Sequence, residues 1–180
     1  AKAVLVSIQE YFKKIGRQIP VIVQVTVETT GTLLVGSDIA AALTSLEPYD
    51  FVDIIGMNCA TGPEKMSDHI RYLSANSARP ISVIPNAGIP ENIGGETVYP
   101  LQPEELASTL THFVDDLGVS IVGGCCGTTP EHLEKLVKAV DGKYPKDREV
   151  NWSPAASSLY QSVDLTQDPP PLLVGERTNA

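Results

Sequence analysis

The 180-residue chain is 42% hydrophobic and 19% charged, which excludes general disorder and suffices for one buried core. Its formal net charge of -9 excludes an electrostatic binder of nucleic acid or anionic membrane, since both call for a basic surface. No apolar run approaches the roughly 18–20 residues of a membrane span, and an odd set of three cysteines points to reduced thiols in the cytoplasm rather than a disulfide scaffold.

The opening "AKAVLVSIQEYFKK" carries Glu10 and no small-residue cleavage site, so it does not read as a signal peptide. Val4, Ile8, Tyr11/Phe12 and Ile15 recur at helical intervals, and Gly16 predicts the stop. Dense β-branched residues predict a strand over 19–28, "IPVIVQVTVE". Ser37 or Asp38 opens a helix over 37–47 that ends before Pro48. A second buried strand follows over 50–58, and Pro63 then sits in the first turn of a helix over 62–77. A third strand spans 79–88, "RPISVIPNAG", and a helix over 102–118 again starts at Pro-Glu and stops at glycine. The fourth strand, 119–124, leads through "GGCCGT" into a helix over 129–142.

Strand then helix, repeated, predicts an α/β fold with parallel strands and crossover helices. Cys59, Asn86 and the Cys125/Cys126 pair all follow the C-terminal end of a strand, the face on which (β/α)₈ barrels build their sites. An open doubly wound sheet explains the alternation equally well. After Gly142 the period is lost, and residues 143–171, rich in Pro, Ser, Asp and Gln, read as a linker that Trp152 and Tyr160 pin to something. "LLVGERTNA", 172–180, resembles the opening of a further strand, and with no initiating methionine the chain reads as a piece of a longer protein.

Two adjacent cysteines cannot serve one site from a regular strand, because successive side chains face opposite ways. Gly123, Gly124 and Gly127 give the freedom to leave the strand. A vicinal disulfide is strained, since adjacent Cα atoms lie ~3.8 Å apart against the usual ~4.4–6.8 Å. Two sulfurs each ~2.3 Å from a tetrahedral Zn²⁺ are roughly 3.7–3.8 Å apart, within reach of neighbouring side chains. Cys59, Cys125 and Cys126 would leave a fourth position open, as catalytic rather than structural zinc sites do. A substrate thiol bound there is deprotonated, and the implied chemistry is alkylation of a thiol. The alternatives on the residues alone are buried structural cysteines in a non-catalytic α/β binding module, a structural Cys₃His site using His69, His112 or His132, and a redox pair.

"GMNCATGPE", "PNAG", "ETVYPLQPEELA" and "VGGCCGTTPEH" resemble the homocysteine S-methyltransferase domain of the cobalamin-dependent methionine synthases, over residues 1 to about 142. The tail "VGERTNA", 174–180, resembles the first strand of the pterin-binding domain that follows in those enzymes. The resemblance implies the C-terminal half of a (β/α)₈ barrel over 1–142, a linker over 143–171 and the start of a pterin-binding domain over 172–180. By the same match, Cys59, Cys125 and Cys126 hold zinc, and Glu176 and Asn179 belong to a pterin site. It further implies that the zinc-bound homocysteine thiolate takes a methyl group from methylcobalamin on another domain of the same chain, which 5-methyltetrahydrofolate recharges. Relatives that use other methyl donors, or that are fused to a folate reductase, are the alternative. The acidic residues that hold the substrate amino group fall in the half-barrel preceding this chain; Glu28 is a candidate stand-in, with solvent or a neighbouring loop preferred. Asn86 lines the substrate pocket or pins the "PNAG" loop.

Overall fold

A computed structural model describes residues 2–172. Its elements are α1 (Lys2–Ile15), β1 (Ile22–Val25), α2 (Ile39–Leu46), β2 (Ile54–Asn58), α3 (Pro63–Asn76), β3 (Ile81–Ile84), β4 (Glu91–Ile93), β5 (Glu96–Val98), α4 (Pro103–Leu117), β6 (Ile121–Val122), α5 (Pro130–Val140), β7 (Ala155–Ser157) and β8 (Ser162–Asp164). The helix boundaries follow local chemistry. Asp38 accepts the Ala41 N–H at 2.6 Å and caps α2. Pro63, Pro103 and Pro130 occupy first helical positions, where a missing N–H costs nothing. Gly118 ends α4 in left-handed backbone at φ 65°.

The central sheet has the order β1-β2-β3-β6, all parallel. Strands lie in the order in which the chain makes them, with no reversal. A doubly wound sheet has a switch point where that order turns back; the four strands among the described residues show none, as successive strands of a barrel wall would. One strand face is apolar and packs under the helices. There Ile55, Met57, Ile81 and Val83 are fully buried against Met66, Ile70, Leu106 and Leu110. The opposite face carries the row Gln24, Gly56, Ser82 in register. Gly56 lets the Gln24 amide cross to the Ser82 hydroxyl at 2.9 Å, because a Cβ there would sit 2.0 Å from the Ser82 carbonyl.

Three expectations change. The strands are shorter than their apolar runs, since residues such as Ile19, Pro20 and Phe51 pack or turn outside the ladder. In α1 it is Leu5 and Phe12 that are buried, whereas Val4 and Tyr11 are exposed; the helix is rotated so that Phe12 meets Phe51 edge-on, at 6.1 Å between ring centroids. Two antiparallel hairpins stand outside the predicted strands. One is β4–β5, inserted between β3 and α4, and the other is β7–β8, within the span read as linker. None of the helices among the described residues is long and apolar enough to cross a membrane. Glu176, Asn179 and the strand expected at 172–180 lie, but for residue 172, outside the described residues.

Candidate metal centre

The exit of β3 is the platform on which the cysteines meet. Its last carbonyl, Ile84 O, accepts the Cys59 N–H at 3.0 Å from the neighbouring β2 exit. Pro85 O accepts the Cys125 N–H at 2.7 Å from the β6 side. The Asn86 side-chain carbonyl takes the Cys126 N–H at 3.1 Å, and Cys126 O accepts the Ala87 N–H at 2.9 Å. Cysteines from two strands separated by a third are thereby drawn over that third strand's end.

Glycine supplies the space this needs. A Cβ on Gly124 would meet Thr128 at 2.4 Å, and Gly127, at φ 78°, lies directly under the Tyr99 ring, whose Cγ would be 2.1 Å from a Cβ. Cys59 and Ala60 turn through left-handed backbone as well, at φ 60° and 58°.

The resulting sulfur spacings are 3.7 Å for Cys59–Cys126 and 3.8 Å for Cys125–Cys126. All three Sγ atoms lie within 4.8 Å of one another, and among the described residues this is the grouping of His, Cys, Asp or Glu that could hold a metal ion. Two thiolates on one tetrahedral zinc stand roughly 3.7–3.8 Å apart, from bonds of ~2.3 Å, so the donor set fits that ion. Burial fits it too: Cys126 is exposed and Cys59 and Cys125 are half-buried, which removes the alternative of inert cysteines sealed in a core. The Ala60 backbone N–H, with help from Cys126, Cys125 and the Asn86 amide, holds the Cys59 thiol below its usual range despite some desolvation. Cys125 goes the other way, to about 11, pushed by desolvation and then by its cysteine neighbours. A second uncompensated thiolate is disfavoured there, and a divalent cation would offset that charge.

Histidine is absent from this grouping. His112 on α4 pairs with Asp116 at 2.6 Å, His69 lies on α3, and His132 is buried in the first turn of α5 with other partners. Glu28 follows β1 in a turn that its own N–H closes onto the Thr32 carbonyl at 2.8 Å, and it is not part of the grouping. Asn86 is 3% exposed, and its side-chain carbonyl reaches across to pin the cysteine loop. Tyr99 was not singled out in the sequence. Its ring packs over Gly127, next to Cys126, and its hydroxyl is pushed above the ordinary range, first by desolvation and then by Cys126, Cys59 and Cys125. A cavity of about 550 Å³ beside β1 and α2 carries no cysteine, histidine or carboxylate in its lining.

A parallel sheet wound in one direction, with three thiols at its strand exits, defines a class, and residues 1–140 match it: the chain belongs to the homocysteine S-methyltransferase family. It is 50% identical over 184 residues to the methionine synthase of Mycobacterium leprae and 49% identical over 179 residues to that of Mycobacterium tuberculosis, in each case across 99% of this chain. The chain spans about 15% of the length of either relative. Its fold is similar to part of that of the homocysteine methyltransferase MmuM from Escherichia coli, solved in an oxidized and a metallated form. The TM-score to each is 0.55 at 23% identity, and 74% and 73% of this chain covers 40% and 39% of those structures.

Proposed function

We propose that this chain is the metal-binding part of a methyltransferase that methylates the thiol of homocysteine, with Cys59, Cys125 and Cys126 as the protein ligands of a Zn²⁺ ion. The observation that carries the reading is the convergence of three sulfurs, 3.7 and 3.8 Å apart across Cys126, at the exits of β2 and β6. Zinc held by three thiolates supplies a vacant position at which a substrate thiol is kept as its thiolate at neutral pH. The chain's own part is to hold that set open on one side. Cys126 faces solvent, the β3 exit fixes the two cysteine loops, and Asn86 stands at the rim with its carbonyl committed to the Cys126 N–H. Three reduced thiols suit a cytoplasmic setting.

Finer features follow the relatives. Sequential parallel strands and the likeness to the E. coli enzyme support a (β/α)₈ barrel of which residues 1–142 are the C-terminal half. Residues that hold the homocysteine amino group then lie outside this chain. Half-identity to methionine synthases across nearly the whole chain, against 23% to MmuM, supports methylcobalamin as the methyl donor and 5-methyltetrahydrofolate as the source that recharges it. The same identity supports a connector over 143–171 and a pterin-binding domain from 172, with Glu176 and Asn179 in its site.

The test is metal analysis and homocysteine binding on the full-length protein with each cysteine changed to alanine. Native protein should carry about one zinc per chain, and Cys126→Ala should lose both zinc and homocysteine binding. Retention of both would overturn the reading. A functional pterin domain without methyl transfer from added methylcobalamin would redirect the donor while leaving the metal centre in place.

A further inference from the structure

We propose that His132 is a positioning residue for the cysteine centre: by donating to the Leu101 carbonyl it holds the segment that carries Tyr99 against the cysteine loop, and so fixes where Cys126 presents its sulfur. This assignment rests on the metal centre proposed above and goes beyond its three ligands.

The capping of α5 raises the question. Thr129 is the N-cap, and three residues on, where such boxes ordinarily use Glu or Gln, stands His132. Its Nδ1 accepts the Thr129 N–H at 3.2 Å and meets the Thr129 hydroxyl at 2.9 Å. That is all a cap needs. With Nδ1 an acceptor, the proton sits on Nε2, which points away from the helix and donates to Leu101 O at 2.9 Å. At 6% exposure the ring is buried in a helix whose neighbouring Glu131 and Leu133 are exposed. A residue with two nitrogens set a ring apart is spent here to join two loops.

The bond closes a circuit around the sulfurs. Leu101 N–H donates to Ala87 O at 3.0 Å, Ala87 N–H to Cys126 O at 2.9 Å, and Cys126 N–H to the Asn86 side chain at 3.1 Å. On the other side, Thr128 donates its N–H and its hydroxyl to Cys125 O, at 3.2 and 2.7 Å, and leads directly into the Thr129 cap. His132 is the link between the two arms. Two residues before Leu101, the Tyr99 ring covers Gly127 so closely that no side chain fits there. Release of the Leu101 carbonyl frees the stretch that presses on the residue next to Cys126. Partners bonded directly to a metal ligand typically govern metal affinity or activity by about 10–100-fold. His132 acts on Cys126 through the Leu101 and Ala87 bonds and on Cys125 through Thr129 and Thr128, which places its effect at the lower end of that range.

The experiment uses the full-length protein loaded with Co²⁺, whose thiolate charge-transfer band reports the sulfur geometry, and follows metal loss to a chelator at pH 8. His132→Glu keeps an acceptor for the Thr129 N–H but turns an oxygen toward Leu101 O, whereas His132→Gln puts an N–H donor back on a similar span. His132→Glu should lose metal about 10-fold faster, the lower end of what direct ligand partners govern, with a shifted band, and His132→Gln should stay close to native. Tyr99→Ala, which leaves the α5 cap intact, should show the same rapid loss and covers the case in which His132→Glu does not fold. A residue that merely stabilises α5 would lower the melting midpoint and leave band and loss rate unmoved. Native loss rates in His132→Glu or Tyr99→Ala, or a His132→Gln variant as leaky as His132→Glu, overturn the assignment. Native protein that takes up no Co²⁺ overturns the metal reading along with it.

Discussion

Cys59 and Ala60 hold left-handed backbone with side chains on, at φ 60° and 58°, a conformation costing roughly 1–2 kcal/mol per residue. The turn is pinned on both sides, by Cys59 N–H on Ile84 O at 3.0 Å and Thr61 N–H on Cys59 O at 2.7 Å. It aims the Cys59 sulfur back across β3, and it puts the Ala60 N–H where it favours the thiolate. Gly127 has the same backbone sign at φ 78° but no room at all, with Tyr99 Cγ 2.1 Å from any added Cβ. Gly127→Ala should therefore combine backbone strain with displacement of Tyr99. A loss of about 2 kcal/mol or more in stability is expected, together with reduced zinc content after gel filtration. Metal content equal to native in a folded Gly127→Ala protein would show that the Tyr99 contact does not shape the centre. The glycines of "GGCCGT" announced this loop in the sequence, because few other uses explain three of them around two cysteines. The left-handed turn at Cys59 was silent, since neither cysteine nor alanine advertises positive φ. Tyr99 was silent for another reason: it reaches the cysteine loop through a hairpin whose placement is tertiary.

Among the elements, the helices were legible and one of the two hairpins was not. Asp38, the three N1 prolines and Gly118 are local signals, and each lies within a residue or two of the boundary it predicts. The Gly94-Gly95 pair between "ENI" and "ETV" is a hairpin turn signal and could have identified β4–β5. β7–β8 has no such signal, because what holds it is hydroxyl chemistry with α2. Thr44 bonds Ser162 at 2.7 Å, Ser45 bonds Ser157 at 3.1 Å, Ser37 donates to Leu159 O, and Tyr160 O accepts the Asp38 N–H at 2.9 Å. Ahead of that hairpin, Arg148 straps the connecting segment to the base of the sheet, donating to Ser74 O at 3.1 Å, Ser77 O at 3.0 Å and Arg79 O at 2.6 Å. Arg148→Met removes three charge-assisted bonds and leaves carbonyls unpaired. A cost of about 2–4 kcal/mol follows, read as a lower urea midpoint. These carbonyls lie on the entry side of β3, whereas the cysteines lie at the exits of β2 and β6, so zinc affinity of the folded protein should be unchanged. A coupled loss of zinc would mean that the two ends of the sheet do not act independently.

At the scale of the molecule, the sheet's two outer strands differ in what surrounds them. β6 is two residues long and runs into the cysteine loop, a length that offers little to a partner strand. β1 is the other edge, and apolar surface gathers on its side of the fold. Val4 (62% exposed), Tyr11 (58%), Ile19 (54%) and Ile22 (50%) border one groove of about 480 Å³. Val23, Val25, Leu33 and Leu159 border the cavity on the other flank of β1. Contiguous apolar surface along an unpaired strand is a template for association. The 180-residue chain on its own should therefore self-associate with rising concentration and bind a hydrophobic dye, as sedimentation velocity and dye fluorescence would record. Ile22→Lys places a charge on the β1 edge, where lysine is a common device against edge pairing, and should shift the chain toward monomer without altering the cysteine loops. A native chain that stays monomeric at high concentration and melts in one sharp step would mean that β1 needs no neighbour. The barrel proposed above requires one there, so that result would count against the half-barrel assignment at the level of the fold while leaving the three-sulfur site to its own test.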